Sequence, residues 1–293
     1  MSEETTGEAV PAAGTPRWLR PAAVRLVLML ALFAAVSAVA SGVVTGLSTA
    51  PVGGLVMGVV MAALALGGYV AAVRFTERRR AVELPIAGIR DAWRGTGVGV
   101  GLFTVTIAVI AVFGGYRVLG WGSFGGALAI AGVMCTTAVV EELLFRGVLF
   151  RIVEELTGTW GALGVSAVLF GVLHLVNPGA SVWGALAIAV EAGLMLGAAY
   201  AATRTLWLPI GLHLGWNAAE VAVFGTISSG SGLKAQGLLE ATMSGPAALT
   251  GGAFGPEASI VAILACGVPT VMFLRLARRR GRLLPRTRRT PSP

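Results

Sequence analysis

Charge is scarce in this chain. Only 12% of its 293 residues are Asp, Glu, Lys or Arg, while 56% are hydrophobic. That is about half the charged share of ordinary soluble domains. A soluble core cannot hide so much apolar surface, and a disordered chain needs the opposite balance. The solvent for this chain is therefore lipid. Cysteine is also nearly absent. Cys135 and Cys266 stand inside apolar runs, which excludes a disulfide framework and leaves both as small core residues. Lysine occurs only as Lys234, and histidine only as His174 and His213. Glycine is plentiful but has no fixed period, which excludes a collagen-like chain.

The net charge of +8 is carried by arginine clustered at the edges of the apolar runs. That placement belongs to membrane topology and anionic lipid rather than to nucleic acid. The expected partners are membrane lipid and a membrane-associated protein or peptide substrate, with no nucleic acid. A spanning helix needs about 20 mostly apolar residues. Eight candidate spans follow: 22–45, 52–73, 96–115, 123–150, 160–176, 182–202, 206–225 and 257–275. No alternating pattern of the barrel type occurs, so the fold class is all-α, a polytopic membrane protein of about eight transmembrane helices. With both termini cytoplasmic, nearly all arginines fall inside, and only Arg117 and Lys234 fall outside. Ala38-Val39-Ala40 resembles a signal-peptidase site, but the apolar run continues to about residue 45, which favours an uncleaved helix.

Residues 1–21 read as a disordered cytoplasmic tail, 22–275 as the transmembrane helical domain, and 276–293 as a basic cytoplasmic tail. The Gly/Ser/Ala-rich segment 226–256 lies outside, as a flexible loop or with a short interfacial helix. No internal repeat stands out, which weakens an inverted-repeat transporter.

Ionisable residues within spans are costly and ask for a reason. Here they gather in three places: Glu141, Glu142 and Arg146 in span four, His174 in span five, and His213 with Asn217 in span seven. Glu142 and Arg146 are four apart, share a helix face and can pair. Glu141 points about 100° away, free to project into a cavity. His213 and Asn217 share a face, as do Phe170 and His174, so an aromatic ring can wall the histidine. Glu141 is sixteen residues before Thr157 and His174 seventeen after it. In an antiparallel hairpin each lies about 25 Å from the turn, at one level. His213 is about 10 Å from the start of its span. The levels agree if the hairpin projects beyond the membrane, with the site in a cavity open to the cytoplasmic side.

A carboxylate and two imidazoles in a poorly solvated cavity suit water activation, the carboxylate acting as general base. His213 and Asn217 can donate to an oxyanion, and His174 can position the water. Alternatively, Glu141, His174 and His213 hold a divalent metal such as zinc, with water in the fourth position. H-E-x-x-H is absent, and no Ser–His or Cys–His pair stands out. Glu191 and Glu220 read as structural or cavity-lining residues outside the site, and Trp207 and Trp216 as packing or interface residues.

E-E-L-L-F-R-G at 141–147, F-G-V-L-H at 170–174 and H-L-G-W-N at 213–217 resemble the type II CAAX prenyl endopeptidase family. These are the CPBP or Abi intramembrane proteases, whose pattern is E-E-x-x-x-R, F-x-x-x-H and H-x-x-x-N on successive helices. The likeness covers about residues 95–225. It implies a fold of about eight spans and peptide-bond hydrolysis within the membrane. Residue by residue, Glu141 activates water with help from His174, His213 and Asn217 form the oxyanion site, and Glu142, Arg146 and Phe170 support them. Both a metal-dependent and a metal-free glutamate mechanism are argued for the family, and Asn217 suits the metal-free one. The Ala/Gly and Arg-over-Lys bias points to a GC-rich bacterial genome and a bacterial cytoplasmic membrane, so the prenyl substrate is not carried over. Two other functions fit the same residues: a non-catalytic scaffold or bacteriocin-immunity factor of this fold, and a proton-coupled transporter.

Overall fold

The computed structural model describes residues 22–47, 51–232 and 237–286; the reading of residues 1–21 as a tail therefore lies outside the described residues. The chain is mostly helical. Helices α1 (Ala22–Leu47), α2 (Pro51–Thr76) and α3 (Ile89–Val112) are followed by strand β1 (Tyr116–Trp121). Helix α4 (Phe124–Glu142) runs through a π segment, Leu143–Phe150, into α5 (Arg151–Leu173). Helices α6 (Val182–Ile188) and α7 (Met195–Thr203) flank a second π segment, Ala189–Leu194. Helix α8 (Trp207–Asn217) ends in a third, Ala218–Val223. Strand β2 (Leu239–Met243), the short α9 (Ala247–Thr250) and α10 (Ile260–Arg279) complete the order.

Among the described residues, five helical segments are long and apolar enough to cross a membrane: Pro51–Thr76, Ile86–Val112, Phe124–Val176, Val182–Thr203 and Ile260–Arg279. The third of these folds back on itself at Gly158, whose φ of 75° and ψ of 174° no helix contains. Phe145 and Phe170, on either side of the bend, meet edge to face with centroids 4.9 Å apart. A side chain at position 158 would also strike the backbone of Leu284 to Arg286, which crosses the turn. Large apolar residues such as Val52, Val56 and Leu64 on α2 and Leu264 and Val268 on α10 stay exposed. Exposure on that scale is normal for helices that face lipid.

The structure corrects several sequence expectations. Residues 116–121 and 239–243 form a two-stranded antiparallel sheet, Tyr116 opposite Met243 and Trp121 opposite Leu239. Segment 226–256 is thus not simply a flexible loop. Strands this short leave no periodicity long enough to register. Helix α3 starts seven residues before the expected 96 and carries Arg90, Asp91 and Arg94 within it. The last helix starts after Glu257, with the Ser259 hydroxyl capping Ala262, and continues to Arg279.

Small residues set the helix pairs that carry the site. On α3, Gly95 and Gly99 face Gly211 and Gly215 of α8; a Cβ on Gly211 would lie 2.0 Å from the Ala92 carbonyl oxygen, and one on Gly215 2.2 Å from that of Thr96. Such contact lets backbones touch, which drives helix association where lipid removes any hydrophobic force. Gly58 and Gly132 bring α2 and α4 equally close, and the Thr136 hydroxyl donates across that seam to Gly58 O at 2.8 Å. Gly215→Leu is therefore expected to lower stability by about 3 kcal/mol, the upper end for overpacking, and to displace His213. Thermal unfolding in detergent checks it, with Gly97→Leu, at a position open on all sides, as the neutral control.

At the Gly158 end the bundle carries a belt of ion pairs. Arg79 holds Glu77 at 2.6 Å and Glu83 at 2.7 Å, Arg25 holds Glu155 at 2.8 Å, Arg204 binds Glu154 and Arg151 binds Glu77. Glu83 lies in the connection after α2. Burial alone would raise its carboxyl, but the Arg79 guanidinium outweighs burial and holds it below the ordinary carboxylate range. Its folded pKa is thus below its unfolded one, near 4.3. The pair stabilises the fold above that value, and the contribution is lost as pH falls through the lower, folded pKa. Unfolding temperatures measured from pH 7 to 3 are expected to fall in the acid range, and less steeply in Glu83→Gln.

Candidate active site

Glu141, Phe170, His174, His213 and Asn217 line one cavity of about 290 Å³. Helix α4 brings Glu141, the end of α5 brings Phe170 and His174, and α8 brings His213 and Asn217. The hairpin explains the convergence: Gly158 lies midway between Glu141 and His174 in the chain, so the two legs return them to one level. The cavity does not run toward the arginine-rich end, as the sequence suggests. Its polar end is lined by Asn177, Ser228, Ser229 and Ser231, which lie on the connections at the end opposite Gly158. At the Gly158 end the bundle is closed by packing, with Phe150 and Tyr200 edge to face at 5.4 Å.

Glu142 and Arg146 lie behind the cavity wall, both wholly buried. Arg146 donates to Glu142 Oε1 at 2.7 Å. It also reaches the carbonyl oxygens of Ala192 and Gly193 at 3.3 and 3.1 Å. Those carbonyls lie in the π segment 189–194, where the widened turn disturbs the ordinary helical ladder, a feature common at functional sites. The guanidinium also stacks over Phe170, 5.1 Å from the ring centroid. Glu142 Oε1 further accepts from His213 Nδ1 at 2.9 Å. One buried carboxylate thus ties α4, α8 and, through Arg146, the 189–194 turn together.

This bonding sets the imidazoles. His174 Nδ1 lies 2.7 Å from the Phe170 carbonyl oxygen, an acceptor only, so Nδ1 carries the proton. With Nδ1 of His213 turned to Glu142, its Nε2 faces Glu141 Oε2 at 3.9 Å. That gap is too long for a direct hydrogen bond. Neutral histidines held in this way present Nε2 as an acceptor. His213 donates to an oxyanion only as an imidazolium, which would meet Glu142 at one nitrogen and Glu141 at the other. Glu141 itself has no hydrogen-bond partner on Oε2, and its side chain is 24% exposed. It is the more available of the adjacent carboxylates.

Among the described residues no three His, Cys, Asp or Glu side chains come close enough to hold a metal ion. Glu141, His174 and His213 share the cavity wall.

Two further glutamates line the cavity, one read from the sequence as structural or cavity-lining and one that the sequence reading missed. Glu191, in the second π segment, lines the same cavity, as does Glu257 just before α10. Glu191 draws attention in the sequence by its place within an apolar run. Glu257 does not, because it lies at the edge of a span. Glu220 is buried close by but does not line the cavity. Trp216 packs edge to face on Phe103 at 5.1 Å, and Trp207 donates to Pro85 O at 2.8 Å.

Residues 121–219 match the family model of the type II CAAX prenyl endopeptidase, Rce1-like. The matched third of the chain holds every motif residue from Glu141 to Asn217. No curated protein and no solved structure matches the chain.

Proposed function

We propose that this chain is an intramembrane endopeptidase of the bacterial cytoplasmic membrane, hydrolysing peptide bonds of membrane-associated proteins or peptides. The observation that carries this reading is the unpaired edge of Glu141, set against His213 Nε2 in a common cavity. Glu141 takes a proton from water as the water attacks the scissile carbonyl. His174 Nε2, fixed by the bond from Nδ1 to Phe170, orients that water. Asn217, and His213 when protonated, donate to the oxyanion that forms. Glu141 then returns the proton to the leaving amine, and a new carboxylate and a new amine result. Glu142 and Arg146 touch no reacting atom and act by positioning His213.

Within the same reading α1, α2, α3, α4, α5, the leg formed by α6 and α7, α8 and α10 each cross the membrane, and both termini are cytoplasmic. The arginine belt at the Gly158 end then lies on the cytoplasmic side, and the polar end of the cavity faces the opposite leaflet.

Profiling of N- and C-terminal peptides from membranes tests the reaction. Cells expressing the wild type are expected to show termini absent from cells with equal amounts of Glu141→Gln. Identical termini across well-covered membrane proteins would reject the peptidase and favour a scaffold. Exhaustive chelation of the purified protein separates the two chemistries, since glutamate-activated hydrolysis survives it and zinc-dependent hydrolysis does not.

A further inference from the structure

We propose that Glu191 and Glu257 form a subsite for the ammonium or guanidinium of a lysine or arginine side chain in the substrate. This assignment rests on the peptidase reading. Both carboxylates line the cavity that holds Glu141 and His213. Both are almost wholly buried, at 1% and 2% exposure. They lie near one another, and Glu220 lies near both.

No ion pair among the described residues engages Glu191, Glu220 or Glu257, although the other buried glutamates, Glu77, Glu83, Glu142 and Glu154, each hold an arginine. The difference is chemical. Those four are balanced within the fold, while this cluster has no cation of its own. Its neighbours are weak donors. Cys266 Sγ approaches Glu191 Oε1 at 3.3 Å, and Ser229 gives both its N–H and its hydroxyl to Glu257 Oε2 at 2.6 Å. Glu191 Oε2 is buried with no partner at all. A buried carboxylate oxygen left unmatched is costly unless a partner arrives.

The wall between this cluster and Glu141 suits a long basic side chain. Ile188, Ala192, Met195 and Leu196 line it. They offer apolar contact to an aliphatic stem while its charged head reaches the carboxylates, as lysine and arginine stems do elsewhere. A neutral side chain of the same length gains the stem contact but leaves Glu191 unmatched. A basic residue near the scissile bond is therefore selected by charge.

Binding tests this without catalysis. Full-length Glu141→Gln protein in detergent is titrated by fluorescence anisotropy with labelled hydrophobic decapeptides. One is N-acetylated and carries a single lysine; the second carries norleucine in its place; the third is the norleucine peptide with a free amino terminus. The lysine peptide is expected to bind about tenfold more tightly than either norleucine peptide. Adding Glu191→Gln is expected to bring the lysine peptide to within about twofold of norleucine, leaving norleucine binding unchanged. Adding Glu257→Gln instead gives the same test if the Glu191 variant unfolds. Equal or absent binding of the lysine and norleucine peptides overturns the proposal, as does a preference that survives both substitutions. Tight binding of the third peptide overturns it in favour of an amino-terminal subsite. Failure of the peptidase reading appears separately, as the absence of wild-type-dependent termini in membranes.

Discussion

Purified Glu141→Gln protein is expected to unfold at nearly the wild-type temperature while its hydrolysis of an identified substrate falls by about 10²–10⁴-fold, the range for a lost general base. The two halves of this expectation have different causes. Glutamine has the size of glutamate, and the Glu141 side chain is partly exposed and unpaired on Oε2. The substitution removes no ion pair closer than the 3.9 Å approach to His213, so stability should change by about 0.5 kcal/mol or less. The amide, however, cannot accept a proton from water at any useful rate. Rate and melting curves on the same preparation check both halves. Retained hydrolysis at wild-type stability would remove Glu141 from the chemistry and with it the mechanism.

The adjacent ion pair should behave in the opposite way. Arg146→Met is expected to lower stability by about 3–5 kcal/mol, the usual effect of stranding one member of a buried pair. The guanidinium it removes is wholly buried, bonded to Glu142 and to two backbone carbonyls. Three acceptors lose a donor, and Glu142 remains charged with only His213 beside it. The double variant Glu142→Gln with Arg146→Met should recover part of the loss, because no lone charge is left. Denaturant or thermal unfolding of the two single variants and the double variant closes the cycle. A double variant no more stable than the worse single one would mean that the pair is held by shape alone. Activity in Glu142→Leu reports on positioning: loss of the Nδ1 acceptor frees the His213 ring, an effect of about 10–100-fold for comparable second partners of histidine.

These opposed expectations for neighbouring glutamates show where local sequence stops being informative. The spacing of Glu142 and Arg146 is enough to foresee their pairing, since residues four apart on a helix meet regardless of what surrounds them. The apolar runs, the helical class and the equal distances of Glu141 and His174 from a turn near 157 follow from composition and from the rise of a helix. All of these depend on neighbours in the chain or on the solvent. The bond from His213 to Glu142 spans 71 positions, and no rule of spacing predicts it. It arises because glycines at 95, 99, 211 and 215 press α8 against α3, while Gly58 and Gly132 set α4 against α2. The same holds for Glu191 and Glu257, which share the cavity only because a π segment and a turn before α10 bring distant parts of the chain to one wall. The direction of the cavity is likewise a property of packing. Arginines along the chain mark one end of the bundle as charged, but side chains such as Phe150 and Tyr200 close that end, and Asn177, Ser228 and Ser229 line the cavity toward the other.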